Sequence, residues 1–201
     1  MDKVDKISGR LIPVSRNDVD TDQIIPARYL TSVSREGFAE GLFADLKKND
    51  PEFSFNQEKF KGAKIMVAGV NFGCGSSREH AVWAIKGAGI EAVIAKSFAD
   101  IFFSNSAKNG LLLIKANEKV VDQLLEASQS GQEEAQISLS EQKFSSAAGE
   151  KVDFDYDSFR KHCLLNGLDD LDYILSQQDS VKSFAEKRSA NLFYDTTKAN
   201  N

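Results

Sequence analysis

Cysteine and histidine are scarce in this 201-residue chain, which has two residues of each type. A structural zinc site usually takes four cysteine or histidine ligands, and an iron–sulfur cluster takes three or four thiolates. Cys74 and Cys163 lie far apart in the sequence, and His162 directly precedes Cys163. We therefore expect the chain to bind no metal alone, so that any metal cofactor would need ligands from a partner. Two cysteines also make a disulfide framework impossible and favour the reducing cytosol.

Long apolar runs and an excess of basic residues are missing as well. No apolar stretch approaches the roughly 18 residues of a membrane-spanning helix, and the amino-terminal residues lack the apolar core of a signal peptide. Asp plus Glu number 30 against 25 Lys plus Arg, which gives a formal net charge of −5. This mild acidity argues against binding to nucleic acid or to an anionic membrane. The sequence predicts a cytoplasmic globular protein with neither partner.

Apolar runs and helical periods alternate through the centre of the chain. Lys64–Val70 is a short apolar run typical of a buried strand, and Arg78–Ala88 repeats its apolar residues at helical spacing. Ala92–Ala95 and Leu111–Lys115 predict further strands, with a helix at Phe98–Lys108 between them. Strands that alternate with helices indicate right-handed crossovers and an α/β fold with a central parallel sheet.

The two ends of the chain differ from this central pattern. Lys6–Val14 predicts a first strand, and the alternation in Ala135–Leu139 and Gln142–Ser145 predicts a hairpin in a second, smaller antiparallel sheet. The sequence then becomes polar and helical in character. We predict one domain over residues 1–201, with a polar helical extension from about residue 169 to the end.

The strongest chemical signal is the turn Gly73–His80, which reads Gly-Cys-Gly-Ser-Ser-Arg-Glu-His. Its two glycines permit positive φ and a close approach to a ligand, and the predicted helix aims its N–H groups at the same point. Ser76 and Ser77 add hydroxyl groups, and Arg78 adds a planar fork that matches a carboxylate. These features predict an anion site for a carboxylate or a phosphate. The structural alternative is that Ser76 and Glu79 form a capping box.

Familiar nucleotide motifs do not fit this turn. It lacks the Gly-Lys-[Ser/Thr] ending of a P-loop, and Arg78 stands where a dinucleotide fingerprint needs its third glycine. His80 lies too far round the start of the helix to serve Ser76 as the base of an acyl transferase. We expect His80 to orient the loop through hydrogen bonds, and Cys74 to pack tightly or to face a partner.

Three motifs together resemble one known family. They are NDVDTDQIIP from Asn17, NFGCGSSREHAVWAI from Asn71 with AVIAKSFADIFFSNSAKNGLL from Ala92, and FRKHCLLNGLD from Phe159. The chain is similar, over nearly its whole length, to the small subunits of 3-isopropylmalate dehydratase in the aconitase superfamily. The resemblance implies a swivelling β/β/α three-layer domain and a hydro-lyase that interconverts 2- and 3-isopropylmalate in leucine biosynthesis.

The resemblance also implies roles for individual residues. It implies activity only with a large subunit, which carries the [4Fe–4S] cluster that binds the hydroxy-acid substrate. Ser76 would be the base that takes the carbon-bound proton, and Ser77 and Arg78 would hold a substrate carboxylate. Thr21 and Asp22 would contribute substrate contacts in the active site, with Asp22 also in a position to orient the arginine. The alternative for Asp22 is a solvated carboxylate in a turn.

Two further positions concern specificity. Aconitases have a serine where this chain has Ile25, and an isoleucine there suits an isopropyl group. An apolar wall discriminates by only about 1–3 kcal/mol per methylene, so the loop Arg28–Gly37 would also contribute. Arg35 in that loop is either a second carboxylate contact or a surface charge. We expect this loop and Asn17–Gln23 to be mobile in the absence of the large subunit, because they lack local packing partners.

Two other functions stay open at this point. The chain could be the small subunit of a related hydro-lyase, such as a homoaconitase or a citraconate/methylmalate dehydratase. It could also be a stand-alone carboxylate-binding module without catalysis, for which the Gly73–His80 turn alone would suffice.

Overall fold

The structure is a computed structural model that describes residues 1–30 and 37–191. Its strands are β1 Lys6–Val14, β2 Ile65–Ala68, β3 Ala92–Ala95, β4 Leu112–Lys115, β5 Glu134–Ser138, β6 Lys143–Ser146 and β7 Lys151–Asp153. Its α-helices are α1 Thr21–Ile24, α2 Phe38–Gly41, α3 Ala44–Asn49, α4 Glu79–Gly87, α5 Asp100–Lys108, α6 Glu118–Ser128, α7 Ser158–Asn166, α8 Asp170–Ser176 and α9 Gln178–Asn191. Short 3-10 helices occupy Ala27–Tyr29, Ser54–Asn56 and Glu58–Phe60.

The strands form one mixed sheet in the order β4-β3-β2-β1-β5-β6-β7. β1 to β4 are parallel, and β5 to β7 continue the sheet in antiparallel pairing. β1 belongs to both parts, since Leu11 pairs with Ile65 of β2 and Ile7 pairs with Ile137 of β5. The predicted α/β class, with its parallel and smaller antiparallel portions, is therefore confirmed, and the two portions share β1.

Helices cover both faces of the parallel portion, because successive side chains of a strand point to opposite faces. Ile12 and Val14 pack in one apolar cluster with residues of α4 and α5. Ile7 and Leu11 pack in a second cluster with residues of α6 and α7. Buried on both faces, β2 and β3 consist entirely of apolar residues, which is why the sequence shows them as short apolar runs.

The carboxyl-terminal extension predicted from about residue 169 is helical through α8 and α9. Asp170 at the start of α8 binds Lys108 of α5 at 2.9 Å and Arg160 of α7 at 3.0 Å, and these cations lower the pKa of its carboxyl group. The outer side of α8 exposes apolar side chains, including Leu171 and Ile174. No helix in the described ranges is long and apolar enough to cross a membrane.

We expect Asn117→Ala to lower the free energy of unfolding by about 1 kcal/mol. The Asn117 side chain caps α6 by accepting a hydrogen bond from the Val120 N–H at 2.9 Å, and alanine leaves that N–H without its partner. Urea unfolding followed by circular dichroism measures the loss. Asn117→Ser, which keeps a capping oxygen, should unfold close to wild type, and equal stability of all three proteins would contradict the assignment.

Candidate active site

The carboxyl ends of β1, β2 and β3 lie at one edge of the sheet, where α/β proteins bind their ligands. The segments that leave these strands continue to pair with each other beyond the sheet. The Asp18 N–H donates to the Val70 carbonyl at 2.9 Å, and the Lys96 N–H donates to the Gly69 carbonyl at 3.2 Å. The Asn71 N–H donates to Ser97 Oγ at 2.8 Å. The glycine-rich turn therefore has a neighbouring segment on each side.

Residues 19–22 hold the glycine-rich turn through successive hydrogen bonds. The Gly73 N–H donates to the Val19 carbonyl at 2.8 Å, and the Thr21 N–H donates to the Cys74 carbonyl at 2.9 Å. Thr21 Oγ1 donates to the Ser76 carbonyl at 3.0 Å. These contacts join the Asn17 motif and the Asn71 motif, which the sequence separates by about fifty positions, into one edge of the site.

The two glycines of the turn are required for different reasons. Gly73 and Gly75 have φ values of 80° and 86°, a region that side chains rarely adopt. A Cβ atom on Gly73 would also lie 2.2 Å from Cγ of Phe102, whereas a Cβ on Gly75 would meet nothing closer than Cβ of Asp20 at 3.4 Å. Glycine is thus required at position 73 by both the positive φ and the contact with Phe102, and at position 75 by the positive φ alone.

The start of α4 excludes the capping-box alternative. The helix begins at Glu79, and its N-cap is Arg78, whose side chain makes no capping bond. Glu79 Oε1 instead accepts a hydrogen bond from Asn109 Nδ2 at 2.6 Å. Ser76 and Ser77 are exposed on the turn, and no described residue accepts a hydrogen bond from their backbone N–H groups. Both serines are therefore accessible to a ligand, with backbone N–H groups that no described residue occupies.

Arg78 and Asp22 form an ion pair beside these serines. Nη1 of Arg78 donates to Oδ1 of Asp22, and the arginine side chain is only 20% exposed, against 57% for the aspartate. Within the described ranges, no acceptor occupies the remaining guanidinium nitrogens of Arg78. The pair places Asp22 where the sequence predicts a carboxylate that orients the arginine.

The remaining predicted site residues are either buried or outside the described part of the chain. Thr21 is 2% exposed and Ile25 is 0% exposed, so neither presents surface to a ligand in this structure. Arg35 lies outside the described residues, as does most of the predicted loop Arg28–Gly37. At the start of that loop, Arg28 makes a two-pronged ion pair with Asp45 at 2.6 and 3.0 Å.

The expectation that Asn17–Gln23 lacks local packing partners is wrong. Val19 is fully buried in the apolar core, and Asn17 Oδ1 accepts a hydrogen bond from the Val70 N–H at 2.9 Å. Asp18 and Asn71 both have positive φ, and Asn71 Nδ2 donates to Asp18 Oδ1 at 2.8 Å. Asparagine and aspartate tolerate this conformation better than other side chains, a signal in the sequence that we did not use.

The ring of His80 lies among aromatic side chains, and the thiol of Cys74 lies near an acidic residue. The His80 ring packs edge-on against Phe38 at 5.1 Å and Trp83 at 4.8 Å. No hydrogen bond of its side chain is found within the described residues, so the predicted orientation through hydrogen bonds is not observed. Burial and the nearby carboxylate of Asp20 raise the pKa of the Cys74 thiol. The described part of the chain contains no group of three or more potential ligands that could hold a metal ion.

The arrangement defines a class of protein when it is compared with known families. Residues 1–119 match the aconitase C-terminal domain, a domain that includes both segments of the edge described above. The chain is therefore an aconitase-superfamily domain that presents a Gly-Ser-Ser-Arg turn at the carboxyl edge of a parallel sheet.

Comparison with individual relatives identifies the family within this superfamily. The chain is 46% identical to the 3-isopropylmalate dehydratase small subunit of Francisella tularensis subsp. novicida over 183 residues, covering 91% of this chain and 96% of that protein. The small subunit of Paramagnetospirillum magneticum is 44% identical over 194 residues, 94% of this chain and 96% of that protein. A crystal structure of 3-isopropylmalate dehydratase from Methanocaldococcus jannaschii is 32% identical, with a TM-score of 0.66 over 90% of this chain and 99% of that one. The chain belongs to the family of 3-isopropylmalate dehydratase small subunits.

We expect Gly73→Ala to destabilise the protein more than Gly75→Ala. The second change adds only the strain of a left-handed alanine, about 1–2 kcal/mol. The first adds the same strain and a clash with Phe102, for which overpacking contributes about 1–3 kcal/mol more. Urea unfolding of both variants gives the comparison. Equal losses, or a larger loss for Gly75→Ala, would contradict the packing described for this turn.

A second prediction concerns the Cys74 thiol. Because its pKa is raised, a smaller fraction is thiolate at pH 8, and alkylation by iodoacetamide should be slower than for an unperturbed thiol. Asp20→Asn keeps a good cap for α1 and removes one carboxylate, so it should lower this pKa and speed the reaction. Peptide mapping by mass spectrometry locates the label. Asp153→Asn on β7 is the control, and a rate unchanged by Asp20→Asn would contradict the electrostatic cause.

Proposed function

We propose that this chain forms the catalytic edge of a 3-isopropylmalate dehydratase and is active only with a large subunit. The reaction would remove water from one isopropylmalate isomer and return it in the other orientation. The observation that carries the proposal is the exposed pair Ser76 and Ser77 beside Arg78, on a turn fixed by residues 19–22. The family relationship supports the same substrate, because the relatives bear that name over nearly the full chain.

In this proposal Ser76 Oγ takes the proton from the substrate carbon while the substrate hydroxyl departs. An alkoxide is costly in water, so the serine needs positive charge and hydrogen-bond donors in a site that excludes water. The guanidinium of Arg78 lies two residues away, and the N–H groups of Ser76 and Ser77 have no acceptor within the described residues. The isomerisation is completed when hydroxide adds to the carbon that lost the proton and Ser76 returns that proton to the carbon that lost the hydroxyl group.

Ser77 and Arg78 would hold a substrate carboxylate. The contact of Arg78 with Asp22 uses Nη1, which leaves the other edge of the guanidinium for two parallel hydrogen bonds to a carboxylate. The Asp22 carboxylate restrains the long arginine side chain, so less conformational entropy is lost when the substrate binds. Asp22 would therefore act on the substrate through Arg78.

The large subunit would complete the site by covering the exposed turn. Ser76 and Ser77 lie at the surface of this chain, where water would weaken every electrostatic contact with the substrate. The [4Fe–4S] cluster expected on the large subunit would supply a Lewis acid for the substrate hydroxyl. This chain would then contribute the base, the carboxylate site and part of the enclosure. We expect the complete enzyme to be cytoplasmic.

Substrate choice would depend on residues outside the turn. Ile25 is buried in the core at the carboxyl end of α1, so it would shape the apolar side of the site through packing. Arg35 would contribute from the loop that follows. Homoaconitate and methylmalate are the related hydroxy acids against which isopropylmalate should be compared.

The test is co-expression with a large subunit under anaerobic conditions, cluster reconstitution, and an assay of isopropylmaleate by its ultraviolet absorbance. Ser76→Ala should lower kcat about 10²- to 10⁴-fold with little change in KM, as expected for loss of a general base. Arg78→Lys should raise KM, because lysine cannot form the two-pronged contact.

Ser180→Ala is the matched control, since Ser180 lies exposed on α9 and should leave both constants unchanged. Full activity of Ser76→Ala would remove the base assignment. A wild-type complex that acts on a related hydroxy acid and not on isopropylmalate would overturn the proposed substrate. Ligand binding by the isolated chain that the large subunit does not alter would favour the stand-alone binding module.

A further inference from the structure

We propose that Thr21 is a positioning residue whose buried hydroxyl sets the orientation of the Ser76–Ser77 peptide group. This inference rests on the function proposed above, and it differs from the direct substrate contact predicted for Thr21 from the sequence. The residue lies behind the turn, at 2% exposure, and its hydroxyl points at the Ser76 carbonyl. Its role would be to decide which groups of the turn face the substrate.

Each polar atom of Thr21 has a partner within the protein. The N–H donates to the Cys74 carbonyl at 2.9 Å, and the carbonyl accepts from the Ile25 N–H at 2.9 Å. The hydroxyl donates to the Ser76 carbonyl at 3.0 Å. A buried residue with every group satisfied is held firmly, since breaking any of these bonds leaves a buried polar atom unpaired. Thr21 is thus a rigid reference point for the turn.

Because the peptide bond is planar, fixing the Ser76 carbonyl also fixes the direction of the Ser77 N–H. In a trans peptide the carbonyl of one residue and the N–H of the next point in opposite directions, and the described chain has no cis peptide bond. The Thr21 hydroxyl draws the Ser76 carbonyl inward, so the Ser77 N–H must point away from Thr21, toward the exposed side. A flipped peptide would present a carbonyl oxygen there and repel a carboxylate.

The turn needs such an anchor because its own backbone restrains it weakly. Gly75 precedes the peptide with φ of 86°, and glycine permits more backbone conformations than any other residue. A Cβ atom at Gly75 would find only ordinary contacts around it, so packing does not lock the position. Among the described contacts, the Ser76 carbonyl accepts one hydrogen bond, which comes from the Thr21 hydroxyl.

The experiment compares Thr21→Val with Thr21→Ser in the reconstituted two-subunit enzyme. Valine keeps the shape and removes the donor, whereas serine keeps the donor. We expect Thr21→Val to lower kcat/KM about 10- to 100-fold, the scale of a small misplacement of catalytic groups, with kcat affected as well as KM. Thr21→Ser should recover most of the loss. Thr21→Ala supplies the same comparison if the valine variant does not fold.

A control variant distinguishes a positioning role of Thr21 from a general loss of protein stability. Asn117→Ala removes a helix cap at α6 and should lower stability without changing kcat or KM at a temperature where all variants are folded. If Thr21→Val keeps wild-type constants, or if Thr21→Ser is as impaired as Thr21→Val, the positioning role is wrong.

A second measurement does not depend on the reaction. The Ser77 N–H shares its peptide group with the Ser76 carbonyl, so its ¹H–¹⁵N chemical shift in the isolated chain reports the Thr21 hydrogen bond. We expect a shift change in Thr21→Val and a position near wild type in Thr21→Ser. Should the wild-type complex be inactive on isopropylmalate, the proposed function fails while this measurement still decides the inference. An unchanged Ser77 signal in Thr21→Val would overturn it.

Discussion

Pairing between residues 19–22 and 73–76 is the interaction on which the site depends. It extends the order of the parallel strands beyond the end of the sheet, because the segments that leave β1 and β2 continue to exchange hydrogen bonds. Val19 anchors one segment in the core, and Gly73 lets the other pass against Phe102. Without that pairing, Ser76 and Arg78 would lie on a glycine-rich loop with few restraints.

The charges of the edge follow from this pairing. Asp22 and Arg78 meet because their segments are held side by side: Asp22 directly follows Thr21, and Arg78 lies two residues beyond Ser76, which Thr21 contacts. The nearby carboxylate of Asp20 raises the pKa of the Cys74 thiol, in addition to the effect of burial, which favours the neutral thiol within the turn. The exposed front of the turn therefore combines hydroxyl groups with one partly neutralised guanidinium, an arrangement suited to a carboxylate substrate.

Much of this arrangement could be predicted from the sequence, and the rest depends on packing. The apolar runs of β2 and β3 and the two glycines of the turn are local signals, and their predicted structures are confirmed. The burial of Thr21 and Ile25 could not be seen, because a polar or apolar residue beside a motif gives no sign of which way it faces. The capping box failed for a similar reason, since Asn109, which follows the end of α5, binds the Glu79 carboxylate. Long-range partners of this kind leave no local pattern.

Amide hydrogen exchange in the isolated chain, measured by nuclear magnetic resonance, tests most directly whether the edge is organised before a partner binds. We expect the N–H groups of Gly73 and Thr21 to exchange as slowly as those of β1 and β2, because both donate to carbonyl groups of the neighbouring segment. The Ser76 and Ser77 N–H groups should exchange rapidly on the exposed side. Rapid exchange at Gly73 and Thr21, equal to that of Ser77, would show that the turn is not organised in the isolated chain and acquires its order only from the large subunit.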